Sequence, residues 1–174
     1  MDRRAFTLSP LIGLGLACRR PATDSGWPAS WDRLLLQKAL TARDQRFDPS
    51  QSMLRVLLGP EYRYHTRLRE CQAHPTRESL EYALLLLEDG TRERTERALR
   101  IVDRVLPLQV TDPESKWYGL WGWYLEEPPE KMAPADWNWA DFNGSLLGQI
   151  DFRHGARLPQ DLRRRMRESL LHAA

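Results

Sequence analysis

The chain has 174 residues, 41% of them hydrophobic and 29% charged, and a formal net charge of +2. That length predicts one domain with enough apolar side chains for a core. A charge so near zero gives no sign of a nucleic-acid partner, and two cysteines make no disulfide framework.

Residues 2–18 read DRRAFTLSPLIGLGLAC. Arg3, Arg4 and Phe6 stand where a twin-arginine export signal places them, and Leu8 falls one position late. The run from Ala5 to Ala17 has the length of a signal-peptide core and is too short to span a bilayer. Ala17-Cys18 looks like a lipoprotein cleavage site with Cys18 as the lipidated residue, although Gly15 stands where leucine is usual. These features predict an export signal over 1–18, a flexible Pro/Gly/Ser-rich tether over 19–30 and a folded domain over 31–174. They imply the twin-arginine translocase as a partner during export. The expected location is periplasmic or extracellular, with membrane contact only through a lipid on Cys18.

From Ser30 onward the pattern is helical. Ser30 is placed to cap a helix carrying Leu34, Leu35, Leu36, Ala39 and Leu40. A short apolar run, Met53 to Leu58, stops at Gly59-Pro60. Thr76 opens a helix whose Leu80, Ala83, Leu84, Leu86 and Leu87 suggest nearly all-round burial, and Asp89-Gly90 ends it. Thr91 caps the next, with Ala98, Leu99, Ile101, Val102, Val105 and Leu106 at helical spacing, and Pro107 stops it. A long connection covers about 108–136, a length that marks functional or disordered loops. Asp136 is placed to cap a helix with Trp139, Phe142, Leu146, Leu147 and Ile150 on one face. His154-Gly155 ends that helix, and Pro159 starts the last, with Leu162, Met166, Leu170 and Ala173. No strand pattern competes. The predicted class is all-α, built of antiparallel helical hairpins.

The stretch 117–143, WYGLWGWYLEEPPEKMAPADWNWADFN, holds five of the seven tryptophans. Interleaved carboxylates and amides make it unlike a core, and its large aromatics make it unlike a solvated loop. A pyranose has an apolar face that packs on indole and hydroxyls that need acid and amide partners. Trp117, Trp121, Trp123, Asn138, Trp139 and Asn143 are therefore candidate sugar contacts. Tryptophan is also enriched in protein interfaces, so docking of a protein partner is the alternative.

Asp112-Pro113, WYGLWGWYLEEP, DWNWADFNG and HGARLP occur in that order. Together they resemble uncharacterised bacterial twin-arginine-signal proteins of the six-hairpin glycosidase type, over about 78–174. The resemblance implies an (α/α) toroid, a carbohydrate-related role and a cleft lined by the inner ends of the hairpins. A closed toroid has about twelve helices, which at typical helix and loop lengths takes roughly 216 residues. Only five or six helices can be counted here. The expectation is thus part of a toroid: a fragment, or a half-unit that pairs with itself.

Glycoside hydrolysis uses two carboxyl groups, and Glu126, Glu127, Asp136 and Asp141 are the candidates. The bland reading makes Asp136 a helix cap, Asp141 a first-turn acid and the two glutamates solvent-facing. His65, Cys71 and His74 are too scattered to predict a metal site. The clustered Arg163, Arg164, Arg165 and Arg167 follow amphipathic helix spacing and predict no nucleic-acid contact. No cofactor is implied. The sequence thus predicts an exported protein that binds or processes carbohydrate. As part of a toroid it is expected to be better suited to contact than to catalysis.

Overall fold

A computed structural model describes residues 29–62 and 64–174. Arg3, Arg4, Phe6, Cys18 and the tether up to residue 28 lie outside the described residues. Five helices carry the chain: α1 (Ala29–Asp44), α2 (Thr76–Asp89), α3 (Arg92–Val105), α4 (Asn138–His154) and α5 (Gln160–His172). The class is mostly helical, as the spacing predicts. No helix among the described residues is long and apolar enough to cross a membrane.

The local signals explain most helix ends. Gly90 terminates α2 in the left-handed conformation (φ 73°), and its N–H donates to Leu86 O. Pro107 ends α3 within a residue of its predicted stop, and a single 3-10 turn, Leu106–Leu108, follows. Gly155 lies beyond the end of α4, and Pro159 immediately precedes α5. Asp136 serves α4 from two residues ahead. Its Oδ1 accepts the Asn138 backbone N–H at 3.1 Å, satisfying a donor that the helix leaves open.

The expectation of no strands needs correction. The run from Met53 forms two miniature antiparallel pairs: β1 (Phe47–Asp48) with β2 (Met53–Leu54), and β3 (Val56–Leu57) with β4 (Gln72–Ala73). Two-residue strands are too short to leave an alternation in the sequence. The first pair is closed instead by turn chemistry. Asp48 Oδ1 accepts both the Ser50 N–H at 2.8 Å and its hydroxyl at 2.7 Å.

Helix α2 is central, packing against α1, α3 and α4, while α5 packs on α4. Leu80, Tyr82, Ala83, Leu86 and Leu87 of α2 are fully buried, together with Ile101, Val102, Leu147 and Ile150 from its neighbours. A polar pin joins three helices. The Tyr82 hydroxyl donates to Asp44, and Arg97 donates to Asp44 at 2.8 Å and to the Tyr82 oxygen at 2.9 Å. Burial pushes the Tyr82 hydroxyl up to about 12. Phe142 departs from its predicted face: it is 36% exposed, under the Arg77 guanidinium at 4.4 Å.

The arginine cluster of α5 is spent on ion pairs. Arg163 and Arg167 hold Asp151, Arg164 holds Asp161 and Glu168, and Arg165 holds Asp103 and Asp161.

Candidate functional site

The connection from α3 to α4 is stitched onto the helices by its backbone. Val110 N–H donates to Leu120 O at 2.9 Å, and Gly119 N–H returns to Val110 O at 2.8 Å. Farther on, Thr76 N–H donates to Trp123 O and Leu125 N–H to His74 O, both at 2.9 Å. Buried Gln109 adds its side chain, donating to Gly119 O and Ser169 O and accepting from the Ser169 hydroxyl. The segment is held at the amino-terminal end of α2 and against α5.

This stitching divides the candidate contacts into two groups. Trp121 is fully buried, and its indole N–H donates to Val105 O at 3.2 Å. Trp123 and Trp139 are 6% and 8% exposed and stack on each other at 4.2 Å with 24° between planes. The Trp139 N–H reaches Thr76 Oγ1 at 3.0 Å, and Asn143, also fully buried, donates to the same oxygen at 3.4 Å. Thr76 in turn donates to Gly122 O at 2.9 Å. Trp121, Trp123, Trp139 and Asn143 are therefore corrected from ligand contacts to packing residues, because their surfaces are already covered by protein. Thr76 at the first residue of α2 gives the buried Trp139 indole and the Asn143 amide a partner, and Val105 O gives Trp121 one.

Two tryptophans remain at the surface. Trp137 is 57% exposed and Trp117 is partly exposed. They line one open depression of about 620 Å³, together with Arg67, Lys116, Glu130, Met132 and Pro134. The Lys116 ammonium lies 4.3 Å from the centre of the Trp117 ring. Arg67 is fixed at the rim by its backbone, whose N–H donates to Glu127 Oε1 at 2.7 Å. Trp137 was legible in one respect. In D-W-N-W, residues 137 and 139 cannot share a helix face, and Trp139 belongs with Leu146 and Ile150. Arg67 gave no signal, since only the tertiary fold brings it beside Trp117.

The four carboxylates do not form one cluster of like function. Glu127 is buried at 2% exposure; its Oε1 holds Arg67 N–H, and its Oε2 has no partner among the described residues. A buried Glu127 departs from the bland reading that places it in solvent. Glu126 turns the other way. Its Oε2 accepts the His74 N–H at 3.0 Å, and its Oε1 lies 2.5 Å from His74 Nδ1. Asp136 is buried as the cap of α4, and Asp141 is exposed in the first turn. Asn138 is exposed beside Asp136, to which its amide donates at 2.9 Å.

His74 is bracketed, because its Nε2 also lies 3.2 Å from Asp48 Oδ2. The ring thus ties the β1–β2 turn to the α3–α4 connection. His65 belongs elsewhere, stacked on Trp123 at 5.4 Å with Nδ1 2.9 Å from Pro134 O. Among the described residues no group of three His, Cys, Asp or Glu side chains is arranged to hold a metal ion.

The family described as a domain of unknown function (DUF8769) matches residues 33–174. The chain belongs to this family. No curated protein and no solved structure matches it. The matched span contains all of α2 to α5, the depression between Trp117 and Trp137, and the His74 bracket.

Asp48 supplies a pH prediction. The Ser50 hydroxyl and N–H, with a smaller contribution from His74, hold its carboxyl at about 2 against an ordinary 3.8. A depressed folded-state value stabilises the fold above about pH 3.8, and that stabilisation is lost as pH falls through about 2. Wild type should be more stable than Asp48→Asn in urea at pH 6, and the gap should narrow steadily below pH 4. A gap that stays constant down to pH 2.5 would count against this assignment.

Proposed function

We propose that the chain binds carbohydrate through the depression between Trp117 and Trp137. The observation that carries this reading is two surface indoles flanking one open concavity, with charged side chains on its rim. Two indoles on one concavity form a flat apolar surface, and a sugar ring offers the apolar face and the hydroxyls that such a site accommodates. The W-G-x-W-x-x-E-E and D-W-N-W-A-D-F strings support the same reading through their resemblance to six-hairpin glycosidases. On that basis we also take the helices to be part of an (α/α) toroid, with the tryptophan-rich connection on its cleft side. The amino-terminal RRAF and Ala17-Cys18 support work outside the cytoplasm, after twin-arginine export and with a lipid on Cys18.

We assign contact rather than hydrolysis to this chain, because Glu127 and Asp136 already hold backbone N–H groups. Titration of the full chain against a panel of polysaccharides tests the reading. Trp137→Ala should weaken binding about 5- to 150-fold, since stacking of a ring on an aromatic is worth roughly 1–3 kcal/mol, with folding stability unchanged. Binding that survives loss of both Trp117 and Trp137 would remove the depression from consideration. Capture of a protein instead of any glycan, lost in the same variants, would favour a docking role in the cell envelope.

A further inference from the structure

We infer that the ligand of this depression is an acidic polysaccharide, one carrying carboxylate or sulfate groups along its chain; this rests on the carbohydrate reading above. Two cations, Arg67 and Lys116, stand on the rim against one acid, Glu130. Neither cation makes an ion pair with an acid among the described residues, so both are open to an anionic group from outside. The depression thus sets two cations and one acid beside exposed Trp137 and partly exposed Trp117.

The geometry of Lys116 sharpens the choice. Its ammonium lies over the Trp117 face, held by the ring quadrupole. A neutral sugar stacking on that face displaces the ammonium and offers it only hydroxyl oxygens. An acidic sugar displaces it onto its own anionic group, so the cation–π contact is exchanged for an ion pair. The flexible four-carbon stem of lysine permits that swing. Arg67 behaves differently. Its backbone is fastened to buried Glu127 next to buried Thr66, so its guanidinium fork starts from a fixed point. Such a fork matches a carboxylate or sulfate with two parallel N–H bonds. A second anionic group, farther along the polymer, can then meet it while a ring rests on Trp137.

The test compares polygalacturonate with its methyl ester, which keeps the sugar chain and caps the charge, and with poly-L-glutamate, which has the charge without the sugar. Binding to the full chain is read by isothermal titration at low and physiological salt. Polygalacturonate should bind about tenfold tighter than the ester at low salt, with the advantage shrinking as salt rises. Lys116→Gln and Arg67→Gln should each remove roughly threefold of it. Both positions are exposed, so unchanged circular dichroism and urea midpoints certify the variants. Equal binding of acid and ester overturns the acidic specificity and leaves the carbohydrate reading standing. Poly-L-glutamate bound as tightly as polygalacturonate overturns the sugar and leaves only a polyanion surface. Binding of none of the three overturns both.

Discussion

Trp121→Ala is expected to remove about 3–5 kcal/mol of folding stability, the range for deleting a buried large aromatic. The same substitution at Trp137 should change stability by no more than about 0.5 kcal/mol. The two residues lie in one tryptophan-rich stretch and look alike in sequence. They differ in surroundings: Trp121 is the largest fully buried side chain, with its N–H on Val105 O, whereas Trp137 faces solvent. Urea denaturation followed by far-ultraviolet circular dichroism separates them. A Trp121→Ala protein within about 1 kcal/mol of wild type would mean that the connection is not anchored as described, since a void of that size cannot close without cost. The anchor also fixes the depression. Gln109 and Trp121 pair across a bridge, so loosening Trp121 should loosen Trp117 and the rim with it. Trp121→Ala should therefore weaken ligand binding indirectly, whereas Trp137→Ala weakens it with the fold intact.

The helical frame was readable because its signals are local. Gly90, Pro107, Asp136 and Pro159 each act within a residue or two of the end they define. Apolar spacing identified α2 as buried on nearly all sides, and it does pack against three helices. The two strand pairs were not readable, because two residues carry no period and the Asp48 turn that closes one pair is set by side-chain hydrogen bonds. The site was readable only in part. Tryptophans and acids marked the stretch, but burial of Trp139 and Asn143 against Thr76, a position about 65 residues away, and of Trp121 against Val105 is set by contacts that no local pattern encodes. Arg67 and Glu127 meet across a separation of 60 residues, which no local pattern encodes. The same holds for His74, set between Asp48 and Glu126 by two long-range contacts.

The glycines among the tryptophans respond to substitution in opposite ways, and this gives the sharpest test of how the stretch is built. Gly122→Ala should cost at least about 3 kcal/mol. A methyl group there would stand 2.2 Å from Glu127 O, and that oxygen is backbone, so relief requires moving the turn that positions Glu127 and, through it, Arg67. Gly119→Ala should be as damaging. Its φ of +82° disfavours any side chain, and the new methyl would lie 2.0 Å from His172 O at the end of α5. Gly148→Ala should do the reverse. It lies within α4 with nothing within 4 Å of the added carbon, so the alanine should stabilise the protein by about 0.5–1 kcal/mol. Thermal or urea unfolding of the three single variants measures all of this. Equal, small effects at all three positions would sink the account, because they would mean that the connection does not press its backbone against residue 127 and α5. The ordering also bears on function. If close backbone approach at 119 and 122 is what holds Trp117 and Arg67 on one rim, Gly122→Ala should lower affinity for polygalacturonate more than Gly148→Ala, even where both proteins are fully folded.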